Sequence, residues 1–174
     1  MLLRPTNVSS IENVLIKDTI SFEQYVYAIL LAGNTTLAVN NLIIDNVCTR
    51  YDSSSYVHGI KIEGGDSILN IKNSTIKNIN SNYSVVATGI GIQGGWTGTG
   101  TKTISILNCN FVNNGRDVRL TGGNLTWDVT IENSNSYNSF ASSYGWTGTN
   151  LTNLPEHLSL SKEKYHFISK ISVK

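Results

Sequence analysis

The 174-residue sequence predicts a single all-β solenoid of parallel strands, about 4.5 coils long. Three observations predict it. A segment recurs in register at intervals of roughly 30 residues, as repeat architectures do. Apolar and polar residues alternate with period two inside each recurrence, which is a strand with one buried face. Glycine or asparagine closes almost every recurrence, where a sharp corner demands it.

The first family of segments is Tyr27–Gly33, His58–Gly64, Thr88–Gly94 and Arg116–Gly122, which align without a gap. Their closing glycines, Gly33, Gly64, Gly94 and Gly122, fall 31, 30 and 28 residues apart. The inward pairs are Ile29/Leu31, Ile60/Ile62, Ile90/Ile92 and Val118/Leu120. In this alignment Leu30, Lys61, Gly91 and Arg119 form one outward column, and Ala32, Glu63, Gln93 and Thr121 the next. His58 and Arg116 lie on the same wall, with Asp117 at the position of Gly59.

The second family precedes each of these: Val14–Asp18, Leu42–Asn46, Leu69–Asn73, Ile104–Asn108 and Val129–Asn133. Each has two aliphatics spaced by two, then Asp or Asn two further on. Branched side chains stacked on their equivalents suit a pleated wall. The amides of Asn46, Asn73, Asn108 and Asn133 are expected to form a ladder, each accepting from one coil and donating to another. Asp18 ends that ladder, because a carboxylate has no donor.

Between segments the chain lacks apolar periodicity of helical spacing and is rich in Asn, Ser, Thr and Gly, which argues against βαβ units. Residues 1–150 are read as the solenoid and 151–174 as a C-terminal tail or cap. In that tail Tyr165, Phe167, Ile171 and Val173 alternate around polar residues, as a closing strand would. Thin caps on a short stack point to a homotrimer or to a longer parent protein.

Composition narrows the partners. Charged residues are 14% of the chain, with 13 basic against 12 acidic, so no basic patch argues for nucleic acid. No stretch is long and apolar enough to cross a membrane, and the first residues do not read as a signal peptide. Cys48 and Cys109 have neither metal-ligand spacing nor a disulfide framework, and are expected to be buried, free and small.

The rungs Gly59-Ile60-Lys61-Ile62-Glu63-Gly64-Gly65 and Gly89-Ile90-Gly91-Ile92-Gln93-Gly94-Gly95 carry a family resemblance, as do Ile44-Asp45-Asn46, Ile71-Lys72-Asn73 and Ile131-Glu132-Asn133. Over about residues 9–135 the chain resembles the right-handed, single-stranded parallel β-helix superfamily of pectate lyases, polygalacturonases, surface adhesins and bacteriophage tailspikes. The resemblance implies right-handedness, a polysaccharide or cell-surface glycan as partner, and an extracellular, cell-surface or virion location. It implies no cofactor beyond the calcium that some members hold, and no metal ligands follow from it. The expected function is a carbohydrate-associated adhesive or structural module, as in a tail fibre, tailspike or cell-surface protein. The alternative is a polysaccharide lyase or glycoside hydrolase acting on an acidic polysaccharide.

No catalytic motif of those enzymes transfers intact. Glu63, Asp66, His58 and Asp117 are the catalytic candidates, though Glu63 and Asp117 stand too far apart for a glycosidase pair. For binding, Arg116 and Arg119 offer guanidinium forks to an acidic sugar, or simply solubilise the wall. Trp96 and Trp146 open matching Trp-Thr-Gly-Thr strings on glycine-rich loops. Each ring either presents a flat face to a sugar or folds back over a corner. Tyr51, Tyr56 and Tyr83 lie in neighbouring loops and would extend such a groove.

Overall fold

The computed structural model describes residues 2–3, 8–50, 56–81, 89–95, 100–120, 125–136 and 140–142. Among them the regular structure is all β-strand, in parallel pairings. One sheet runs in the order β1 (Leu2–Leu3), β3 (Tyr25–Ala32), β5 (Tyr56–Glu63), β8 (Ile90–Gly94), β11 (Arg116–Leu120) and β14 (Phe140–Ser142). The other runs β12 (Leu125–Glu132), β9 (Gly100–Leu107), β6 (Ser67–Lys72), β4 (Thr36–Thr49), β7 (Thr75–Ser81), β10 (Asn110–Val112) and β13 (Asn135–Ser136). On its β4 strand it also carries β2 (Val8–Ser21).

The second sheet is strongly curled, and β4 explains why. Its first part, Thr36–Asn40, pairs with β6, and its second, Ile43–Thr49, pairs with β7. Between them Asn41 takes φ 55, a left-handed bend that asparagine tolerates better than most residues. The sheet therefore has two limbs. Leu37, Val39, Leu69, Ile71, Ile104 and Ile106 point into the core from one limb, and Leu42, Ile44, Val47, Ile76, Ile79 and Phe111 from the other. Ile29, Leu31, Ile60, Ile62, Ile92, Val118 and Leu120 meet them from the first sheet, and all share one apolar cluster. Cys48 and Cys109 are free and buried.

This corrects the single wall assigned to the second family. Val14, Ile16, Leu42 and Ile44 belong to one limb, whereas Leu69, Ile71, Ile104, Ile106, Val129 and Ile131 belong to the other. Leu69 and Ile71 lie beside Leu37 and Val39, not beside Leu42 and Ile44. Both limbs end in an aliphatic, one residue and an asparagine, so matching closing asparagines merges them.

The asparagine ladder divides the same way. Among the described residues nine non-glycine residues have positive φ, and eight fall in pairs five apart: 13/18, 41/46, 73/78 and 108/113. At the first corner Asn41 Nδ2 donates to Asn13 Oδ1 (2.8 Å), Asn73 to Asn40 (3.0 Å) and Asn108 to Asn73 (3.2 Å). Asn133 shares that left-handed corner conformation. At the second corner Asn46 donates to Asp18 (2.7 Å), Asn78 to Asp45 (2.7 Å) and Asn113 to Asn78 (2.8 Å). Asn46 thus stands in a different ladder from Asn73, Asn108 and Asn133. Asp18 does stand at an end, accepting from Asn46.

The glycine corner also differs from the expected one. Gly33 and Gly64 turn with φ 80 and 70, but Gly94 lies inside β8 without positive φ. Ile60 pairs with Ile92, and Ile62 with Gly94, two residues out of the gapless alignment. Where alternation is regular a two-residue slip keeps side chains on their faces, so the pattern cannot detect it; Ile90 alone is carried past the break in alternation. Close approach of backbones accompanies the slip: a Cβ on Gly59 would lie 2.7 Å from the Gly91 carbonyl oxygen, and one on Gly91 2.6 Å from that of Asp117. Gly122 lies outside the described residues, as does 151–174.

Inside the glycine corner runs a row of donors. Thr35 Oγ1 donates to the Ala32 carbonyl and Ser67 Oγ to that of Gly33. Lys102, in register with Ser67, is fully buried and donates from Nζ to the carbonyls of Gly64 and Gly65. Burial lowers its pKa, against the pull of the Asp66 carboxylate. An interior ammonium needs such acceptors to be tolerated.

Candidate functional site

The outward face of the six-stranded sheet gathers most of the described candidate residues. Alternation turns Tyr25 and Tyr27 of β3 away from the core, and again Leu30 and Ala32, with the consecutive buried residues Ala28 and Ile29 shifting the phase between the two pairs. Register then builds rows across the strands. Tyr25 pairs with Tyr56, and their rings stack with centroids 5.2 Å apart at 5°. Tyr27 pairs with His58 in a second stack, at 5.4 Å and 6°, and the row continues to Ile90 and Arg116. The third row is Leu30, Lys61, Gln93 and Arg119. The fourth sets Ala32 beside Glu63.

The third row replaces the expected outward column. Because β8 is slipped by two, Gln93 and not Gly91 stands between Lys61 and Arg119. The slip also puts Ile90 on the outward row, buried but outside the core cluster.

The candidate His58 and the outward residue Lys61, both expected at a solvated wall, are instead enclosed. His58 and Lys61 are each only 3% exposed. Burial, then the nearby charges of Lys61 and Arg119, push the imidazole down to about 3, so His58 is neutral across the ordinary pH range. Its Nδ1 has no hydrogen-bond partner among the described residues. Burial also brings Lys61 down to about 8, partly opposed by the Glu63 carboxylate 3.7 Å from its ammonium. Tyr27 is driven up to about 12, by burial first and then by Glu63 and Tyr25. Arg119 is lowered by burial and by the neighbouring charge of Arg116.

The acids do not converge. Glu63 faces outward beside Lys61. Asp117 is fully buried, where its Oδ1 accepts from Asn114 Nδ2 at 3.0 Å. Asp66 is exposed at the glycine corner and accepts from the Thr101 backbone at 2.7 Å. No two of these three carboxylates are brought together by the register, as two-carboxylate hydrolysis requires. Among the described residues no group of three or more His, Cys, Asp or Glu could hold a metal ion. Among them, too, no helix is long and apolar enough to cross a membrane.

Of the binding candidates, Tyr56, Arg116 and Arg119 lie on this face. Trp96, Trp146, Tyr51 and Tyr83 lie outside the described residues. Tyr25 and Tyr27 were not among the expected residues, although each stands 31 residues before its stacking partner, the spacing of Gly33 and Gly64. Nor was Phe22, 70% exposed at the adjoining corner with the Arg50 guanidinium 6.0 Å from its ring centre. The face can therefore offer flat rings, guanidinium forks and one enclosed cationic row. No protein-family model, no curated protein and no solved structure matches this chain.

Proposed function

We propose that the chain is a right-handed, single-stranded parallel β-helix of about 4.5 coils, serving as a carbohydrate-associated module of a tail fibre, tailspike or cell-surface protein. The glycan lies along the outward face of the six-stranded sheet. One observation carries the reading: the parallel stack of Tyr25 on Tyr56, 56% and 38% exposed, on the face that also carries Arg119. Two stacked rings left this open present a contiguous flat apolar surface, which matches the apolar faces of sugar rings. The paired asparagine ladders and the parallel strands added to each sheet in turn support the solenoid.

A glycan array probed with the labelled protein tests this. Binding should fall roughly tenfold in Tyr25→Ala/Tyr56→Ala, since two ring contacts contribute about 0.5–1.5 kcal/mol each. Trp96→Ala and Trp146→Ala report whether those rings join the same surface. Absence of any glycan signal, or a signal the double variant leaves intact, refutes the reading.

A further inference from the structure

Around the Lys61 ammonium the six-stranded sheet assembles more positive charge than negative. Lys61, Arg116 and Arg119 occupy two adjoining rows, and Glu63 is the carboxylate they share the face with. Three cations against one acid leave a formal excess of two positive charges among the described side chains of these rows. In a chain with only 14% charged residues and a net charge of +1, that is a strong local concentration. It is also enclosed, with Lys61 and His58 each 3% exposed, so the field is poorly screened by solvent.

His58 sits against this charge with a buried ring nitrogen, Nδ1, that has no hydrogen-bond partner among the described residues. The groups facing it are Tyr27 from β3, Lys61 on its own strand, and Arg119 from β11, with Glu63 beyond Lys61. Arg116 ends its row across Ile90, which carries no charge. The two cations that act on His58 both oppose its protonation. An anion placed among the same cations reverses that sign, because it favours imidazolium as strongly as it favours the guanidinium and ammonium.

We propose that Lys61, Arg119 and His58 form a proton-linked oxyanion site, at which a carboxylate or sulfate group of the bound glycan enters and His58 takes up one proton from solvent. The inference rests on the glycan reading only for the molecule that carries the anion. Glu63 holds Lys61 until the anion competes for it, and Gln93 spaces the two cations across β8. No bond is made or broken beyond the proton's transfer to imidazole. Binding then tightens as pH falls. Each unit by which the anion raises the imidazole midpoint raises affinity at acid pH by up to about tenfold.

The test uses the full chain and small probes: sodium sulfate, sodium glucuronate, and as controls neutral glucose and sodium chloride at matched ionic strength. The His58 imidazole is followed by proton–carbon NMR, its signal assigned through His58→Phe. Sulfate or glucuronate should raise the His58 midpoint by one unit or more, with chloride and glucose leaving it in place. The anion that does so identifies the chemistry, sulfate ester or uronate. Lys61→Met and Arg119→Met should each weaken the effect at least tenfold. A midpoint unmoved by both anions overturns the proposal, as does pH-dependent anion binding that survives in His58→Phe. The Tyr25→Ala/Tyr56→Ala protein separates the two readings. Loss of glycan binding there leaves anion uptake unchanged if the oxyanion site is real, and an anion effect without any glycan signal means the glycan reading alone has failed.

Discussion

Replacing His58 with phenylalanine should make the protein markedly less sensitive to acid. The folded chain keeps this imidazole neutral, because burial and the charges of Lys61 and Arg119 push it down to about 3. Unfolding releases it to the ordinary value of about 6.5. Between those two values the unfolded chain binds the extra proton, so the stability His58 permits is complete above pH 6.5 and is lost as pH falls toward 3. Each pH unit below about 6.5 removes about 1.36 kcal/mol, so at pH 4.5 the loss amounts to about 2–3 kcal/mol relative to pH 7. Phenylalanine keeps a flat ring against Tyr27 and cannot take a proton. Urea unfolding of both proteins at pH 7 and pH 4.5, in chloride buffer free of oxyanions, measures the difference. Wild type should lose about 2–3 kcal/mol more than the variant between the two pH values. Carboxylates that titrate below, such as Asp45, held down first by the Asn78 amide, are common to both proteins and cancel. Equal losses in the two proteins would show that His58 is charged, or solvated, in the folded state.

Lys102→Met should cost about 1–3 kcal/mol in chemical denaturation, because the half-buried carbonyls of Gly64 and Gly65 each lose a donor; a loss under about 0.5 kcal/mol would show the corner does not need the ammonium. Gly91→Ala should destabilise by more than about 3 kcal/mol or prevent folding, since its Cβ would press on the Asp117 backbone at 2.6 Å. Gly33→Ala meets nothing within 4 Å and carries only the left-handed backbone cost of about 1 kcal/mol, so reversal of that order in thermal melts would refute the β8 register. Asn73→Asp removes the rung that donates to Asn40 while still accepting from Asn108. It should cost about 1 kcal/mol at pH 7 by urea titration, discounted for exposure, and no loss would mean the ladder is ornamental to stability.

Sequence alone carried the strands a long way. Alternation identified Ile60, Ile62, Leu69, Ile71, Ile104 and Ile106 as core, and each is buried to 1% exposure or less. Asparagine at closing positions likewise marked the strand ends at Asn46, Asn73, Asn108 and Asn133, whose left-handed backbone the structure adds. What it missed were Asn13, Asn41, Asn78 and Asn113, which complete the pairs five residues apart. That spacing is present in the sequence, but the two aliphatic-plus-asparagine strings of one repeat look alike, so aligning them by their asparagines merges them. On the outward face the stacked partners Tyr25 and Tyr27 were legible from their 31-residue offset, whereas enclosure of His58 and Lys61 was not.

The residues by themselves therefore determined most of the side chains that turn inward and about half of the bends, because both follow from local chemistry: period two for a half-buried strand, and glycine or asparagine for a sharp corner. Tertiary structure alone decided which segment lies beside which. Where alternation is regular a slip of two residues preserves the inward face, so pattern is blind to it, and only the close approach of Gly59, Gly91 and Asp117 accompanies the register actually adopted. That register brought Gln93 between Lys61 and Arg119, and with it the enclosed, positively charged row beside His58.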